Sequence, residues 1–158
     1  MKLIKLTLEN FQGIKQFTLE PNGASMNVYG ANGTGKTTLF NGLTWLLFGK
    51  ASDNEPNYSP KTIDIDGSER HFLEHKVEGV FLLENGQILR LSKIFKERYK
   101  KPKGALQEDL AGHTTVYAID GVVSNEREYD ALIDRICSKD KAKILSMPTY
   151  FPQELDWQ

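Results

Sequence analysis

Residues 30–38 read Gly-Ala-Asn-Gly-Thr-Gly-Lys-Thr-Thr and fit the pattern G-x-x-x-x-G-K-[ST] through Gly30, Gly35, Lys36 and Thr37. Such a loop constrains the fold because successive backbone N–H groups must turn inward around an anion, which crowds out side chains and favours glycine. It also demands a strand that feeds it and a helix that leaves it. Ser25–Tyr29 is a short strand candidate ending at Gly30. From Lys36 onward, Leu39, Leu43, Leu46 and Leu47 share a helical stripe, and Gly49 suits the C-cap. A helix starting there aims its unpaired amides and its dipole at the anion. In a cradle of this kind Lys36 reaches the β- and γ-phosphates, and the Thr37 hydroxyl is a magnesium ligand.

The 158 residues can bury one sizeable core, so residues 1–158 are expected to form a single domain. A formal net charge of −1 provides no global attraction to nucleic acid or to an anionic membrane. The lone cysteine, Cys137, has no internal disulfide partner, which suits a reducing, cytoplasmic setting. It reads as a small filler residue following Ile136. The first ten residues alternate polar and apolar instead of presenting the apolar run of a signal peptide. The longest apolar stretch lies in the helix after the cradle and is too short to span a membrane.

Along the chain, Lys2–Glu9 alternates strictly, with Ile4, Leu6 and Leu8 on one face, and so predicts a half-buried strand. Lys15–Glu20 alternates again through Phe17 and Leu19, and Pro21-Asn22-Gly23 turns the chain toward the cradle. Residues 50–70, with Pro56, Pro60 and Gly67, read as a long loop. Residues 77–95 predict a hairpin with Asn85-Gly86 at its tip, and a second pair flanks Asp120-Gly121. A capping-box spacing from Asn125 to Glu128 opens a helix in which Tyr129, Leu132, Ile133 and Ile136 share a face. Hairpins in place of a train of βαβ units predict an α/β P-loop fold: a mixed sheet around the cradle helix, an antiparallel layer of hairpins and a helical C-terminal end.

The stretches "LTLENFQGIKQFTLE" and "NVYGANGTGKTTLFNGLTWLLFG" resemble the N-terminal half-head of SMC-type ATPases of the ABC superfamily, in the SbcC-like branch concerned with DNA double-strand-break repair and recombination. Asn10-Phe11, Asn32-Gly33 and Leu47-Phe48-Gly49 carry the likeness. Residues 150–157, "YFPQELDW", resemble the approach to a coiled coil. The resemblance implies that Gly30, Asn32, Gly33, Thr34, Gly35, Lys36, Thr37 and Thr38 hold ATP, that Thr37 binds Mg, and that Gln153 senses the metal. Lys36 is the catalytic contribution. It further implies a coiled coil, then a C-terminal half bearing the signature loop, the Walker B aspartate and the catalytic glutamate. Two copies of the head sandwich two ATP molecules, and duplex DNA and a nuclease are candidate partners. Many relatives carry a basic residue after Asn-Phe, where this chain has Gln12.

Those later parts can be sought in the chain itself. No Ser-Gly-Gly occurs, and the nearest approach to an apolar strand ending in Asp-Glu is "TVYAIDG", whose Asp120 is followed by glycine and reads as a turn. A cradle without a group to position or activate the attacking water cannot drive in-line transfer. The chain is therefore expected to be part of an enzyme, inactive alone. The alternative is a standalone P-loop nucleotide-binding protein or small-molecule kinase, with residues 50–70 as its lid. Three other motifs compete. "HFLEH", His71–His75, matches a zinc-peptidase spacing that needs a helix, but it runs into a hairpin. "DIDG", Asp64–Gly67, mimics a GTPase switch, yet no guanine-reading Asn-Lys-x-Asp exists, which favours adenine. Lys93, Lys96, Arg98, Lys100, Lys101 and Lys103 form a basic run, read as a solvated edge or as a contact to a phosphate backbone.

Overall fold

A computed structural model describes residues 1–49, 58–64, 66–101 and 109–136. Alternation of apolar and polar residues generates most of it. The strands β1 (Lys2–Phe11), β2 (Ile14–Leu19), β3 (His75–Leu82), β4 (Ile88–Lys100), β5 (Asp109–Ile119) and β6 (Val122–Ser124) form one sheet in the order β2-β1-β3-β4-β5-β6. Every neighbouring pair is antiparallel. Leu6, Leu8, Val77, Phe81, Leu89 and Leu91 project from one face, where α1 (Lys36–Phe48) covers them with Leu39, Trp45, Leu46 and Leu47. The second helix, α2 (Glu126–Ile136), adds Tyr129 and Ile133 to the same core. Each fully buried side chain of this kind contributes ~1.5–3 kcal/mol.

Local signals worked as the residue chemistry requires. Asn85-Gly86 closes the β3–β4 hairpin, with the Gly86 N–H donating to Leu83 O at 3.0 Å. Asp120-Gly121 closes β5–β6, and the Asp120 carboxylate accepts the Arg90 N–H at 2.8 Å. Asn125 caps α2 by accepting the Glu128 N–H at 2.9 Å. Gly49 ends α1 in the left-handed conformation, φ 73°, its N–H returning to Trp45 O at 2.9 Å.

Three expectations need correction. Ser25–Tyr29 forms no strand among the described residues, so the described sheet is antiparallel where a mixed sheet was expected. Both edges of β1 are already taken by β2 and β3, and a segment without a ladder is not a strand. Leu43 is only half-buried, whereas Trp45, Thr44 and Gly42 are buried. Gly42 lies so close to β1 that a Cβ there would stand 2.9 Å from Leu8 Cδ2, and this close approach turns the buried stripe toward Trp45. Finally, Lys93 is no part of a basic surface. Its residue is 2% exposed and its ammonium donates to Trp45 O at 2.9 Å, 5.0–5.8 Å from the ring centres of Trp45, Tyr117 and Tyr129. Strand alternation explains the error: Leu91, Lys93, Phe95 and Glu97 face the core, and Lys96, Arg98 and Lys100 face the other way. Cys137, Lys103 and Gln153 lie outside the described residues, as does the 150–157 segment.

Candidate nucleotide-binding site

The loop that precedes α1 is shaped by glycine. Gly33 and Gly35 adopt φ 81° and 88°, a left-handed conformation that costs other residues roughly 1–2 kcal/mol. A Cβ on Gly30 would sit 2.7 Å from Thr34 Oγ1, so a larger residue there would push Thr34 off its bond to Ala31 O. Thr34 Oγ1 donates to Ala31 O at 2.8 Å, and the Lys36 ammonium donates to Gly30 O at 2.7 Å and Ala31 O at 2.6 Å. The amides of the first turn of α1, at Lys36, Thr37 and Thr38, have no acceptor within the helix. That turn contains no acidic residue, so nothing in it repels an anion.

The loop faces a second wall. Residues 12–14 and 32–38 enclose a cleft of about 550 Å3, the size of a small-molecule site. Asn32, Gly33, Thr34, Gly35, Lys36, Thr37 and Thr38 all border it, together with Gln12. Gly30 sits behind the cleft as the acceptor of the Lys36 ammonium. The donor set fits a magnesium triphosphate: inward-turning backbone, one ammonium, and threonine hydroxyls at the helix start. Gln12 is a neutral residue on this wall, and its amide oxygen accepts from Asn41 Nδ2 of α1 at 3.4 Å, bridging the two walls with neutral groups.

Sequence reading missed what holds that second wall. Asn10 and Gln12 have φ 50° and 45°, an unusual backbone for side-chain-bearing residues, and they need external support. The support comes from residues 58–62. Pro60 O accepts the Gln12 N–H at 3.1 Å, while Thr62 Oγ1 accepts the Gly13 N–H at 3.2 Å and donates to Asn10 O at 3.1 Å. Buried His75 also donates through Nδ1 to Asn10 O. Lys61 in turn pins this strap to β4. Its side chain is 2% exposed and bonds Glu97 at 2.8 Å and Glu69 at 2.6 Å. Burial by itself would raise the Glu97 carboxyl, but bonds from Lys61, Tyr99, the Phe72 N–H and His71 outweigh it and hold it well below the usual carboxylate range. Burial likewise lowers Lys61, and Glu69 and Glu97 overcome it to raise the ammonium. A lysine flanked by Pro and Thr in a polar loop carries no signal for such a role.

The competing motifs resolve into separate contacts. His71 bonds Glu97 through Nδ1 at 2.8 Å while His75 bonds Asn10, so the two histidines go to different partners. In "DIDG", Asp66 accepts from its own turn at Ser68, at 2.7 and 2.9 Å. No helix among the described residues is long and apolar enough to cross a membrane.

A family model described as an AAA domain matches residues 5–158. The DNA replication and repair protein RecF of Caulobacter sp. (strain K31) is 46% identical over 48 residues, covering 30% of this chain and 12% of that protein. The SbcC component of nuclease SbcCD from Staphylococcus saprophyticus is 26% identical over 140 residues, 77% of this chain and 14% of that one. The chain thus spans a small part of the curated relatives it matches. Among solved structures, one from work on ATP-driven dimerization and DNA-stimulated activation of SMC ATPases superposes with a TM-score of 0.61. It is 16% identical and covers 98% of this chain and 93% of its own. The SMC head domain from Thermotoga maritima gives a TM-score of 0.50 at 22% identity, over 85% of this chain and 42% of that one. Both solved likenesses speak to the fold, which is that of an SMC ATPase head. The chain belongs to this AAA domain family; in sequence it is similar to RecF and SbcC proteins, and in fold to SMC ATPase heads.

Proposed function

We propose that this chain is the Mg-ATP-binding N-terminal half of an ATPase head that acts in DNA double-strand-break repair or recombination. The observation that carries the reading is the cleft between residues 12–14 and 32–38, with Lys36 and the open first turn of α1 on one wall. Bound magnesium would neutralise phosphate charge, held by Thr37 and, outside the described residues, by Gln153. Lys36 serves as the catalytic charge that stabilises the transferring phosphoryl group.

Hydrolysis requires a C-terminal half of the same head and a second copy of the head. An apolar groove of about 380 Å3 supports the first of these partners. Leu19, Pro21, Met26, Val28, Phe40 and Leu43 line it, beside the 25–29 segment, which forms neither helix nor strand. That backbone is suited to join strands of the C-terminal half. Duplex DNA fits the outer face of β4, where Lys96, Arg98 and Lys100 recur at every second residue. The name of the SbcCD relative points to a nuclease partner, and the lone cysteine suits a cytoplasmic setting.

The test is turnover measured with the separately produced C-terminal half. The chain alone should hydrolyse Mg-ATP no faster than background, and adding the other half should restore turnover that Lys36→Ala abolishes. Robust hydrolysis by the 158-residue chain alone, lost on Lys36→Ala, would contradict the proposal.

A further inference from the structure

We propose that Phe72 is a stacking platform for an unpaired nucleobase, so that the protein distinguishes frayed or single-stranded DNA from closed duplex. The inference rests on the DNA-directed reading above and names a second contact for the same substrate.

Phe72 is 80% exposed, yet its position is tightly determined. Its backbone is left-handed at φ 61°, a conformation a bulky side chain adopts only when its surroundings impose it. The imposing groups are on hand. The Phe72 N–H donates to Glu97 Oε2 at 3.0 Å, and the ring lies flat on Tyr99, with centroids 4.7 Å apart and planes 10° from parallel. The Tyr99 hydroxyl donates to the same Glu97 carboxylate, whose side chain is 3% exposed and fixed by Lys61. A buried ion pair therefore supports a ring that holds up another ring, and the upper face of the second one is left in water. Hydrophobic burial does not explain this arrangement, because a relaxed backbone would not need to present the ring.

The surroundings indicate what the ring presents itself to. On the same face of the sheet, His113 pairs with Glu97 across the ladder and lies exposed over Phe95, with centroids 5.1 Å apart and planes 15° from parallel. Half-exposed His71 adjoins Phe72, and exposed Lys101 follows just past the end of β4, while Arg98 and Lys100 point from the opposite face of that strand. Exposed rings with the Lys101 ammonium at the strand end suit a ligand with flat π-faces strung on an anionic backbone, which is a single nucleic-acid strand. Closed duplex covers its base faces by internal stacking and can engage only the cations. A free mononucleotide shares the ring chemistry but lacks the backbone that would reach the end of β4.

The experiment uses full-length protein, with three probes: labelled oligothymidylate, a blunt duplex and Mg-ATP. Phe72→Ala should weaken oligothymidylate binding about 5- to 150-fold, the range of one lost base stack, while duplex and nucleotide binding hold. Phe72→Trp should restore it. If wild type binds duplex and Phe72→Ala leaves oligothymidylate affinity unchanged, the platform is refuted and the DNA reading survives. Wild-type protein that binds no DNA at all overturns both. An equal loss on all three probes, or failure of Phe72→Trp to restore, marks Phe72 as structural and also refutes the platform. Loss confined to Mg-ATP would assign the ring to a mononucleotide instead.

Discussion

Lys36 in the phosphate loop bonds two carbonyls of its own loop and stands at the mouth of an open cleft. Lys61, under β4, is 3% exposed and locked between two carboxylates; Lys93, two turns of the pleat away from Glu97 on the same strand face, is enclosed by three rings. The first lysine can exchange its partners for a phosphate at little cost, because carbonyls of an exposed loop are readily hydrated. The other two cannot leave without stranding buried polar groups. Binding chemistry and stability are thus assigned to different regions that meet at the Asn10–Gly13 turn. That division can be attacked from either side.

The largest effect should come from Lys93→Glu. It places a carboxylate among Trp45, Tyr117 and Tyr129, and a cost of at least ~5 kcal/mol would leave little folded protein. Lys100→Glu, on the opposite face of the same strand, should stay within about 0.5 kcal/mol. Chemical denaturation of the pair checks this, and similar values for both would erase the two-faced account of β4.

Next in size is Glu97→Ala. Removing one partner of a buried ion pair costs ~3–5 kcal/mol, and this change also deprives Phe72, Tyr99 and His71 of their shared acceptor. The pH dependence has a definite sign. Because the folded carboxyl lies below its unfolded value of about 4.3, its stabilisation is present above that pH and is lost as the pH falls toward the depressed folded value. Wild type should therefore lose stability on acidification below about pH 4, and the variant should lose less over the same window. Urea midpoints as a function of pH would show whether the two curves converge.

How far these regions were legible in the sequence follows from the range of the interactions. The phosphate loop could be read because its glycines, Lys36 and Thr37 act through backbone geometry within nine consecutive residues. The hairpins and the α2 cap were legible for the same reason. Ser25–Tyr29 was misread as a strand because pairing depends on a neighbour, which no local pattern supplies. Lys93 was wrongly grouped with the basic run because lysine spacing alone does not say which face of β4 is covered by α1 and α2. Lys61, Thr62 and Glu97 were invisible because their partners lie 8 to 52 residues away in the chain.

A smaller effect tests the meeting point of the two regions. Thr62→Val removes a hydroxyl that accepts from Gly13 and donates to Asn10, leaving the Gly13 N–H unsatisfied and Asn10 O with His75 as its remaining side-chain donor. Stability should drop by ~1–2 kcal/mol and Mg-ATP affinity by roughly fivefold, as the turn that walls the cleft loosens. Calorimetric titration at a temperature where the variant is fully folded separates the two. Unchanged affinity would mean that the strap supports the fold without setting the cleft.

The most direct measurement is the thermal melt of wild type and Lys36→Ala, each with and without Mg-ATP. A ligand that binds only the folded chain raises the melting temperature, and Lys36 belongs to the cleft and not to the core. The two proteins should melt together without nucleotide, and Mg-ATP should stabilise wild type alone. Equal stabilisation of Lys36→Ala by Mg-ATP would contradict the assignment of this loop as the nucleotide cradle.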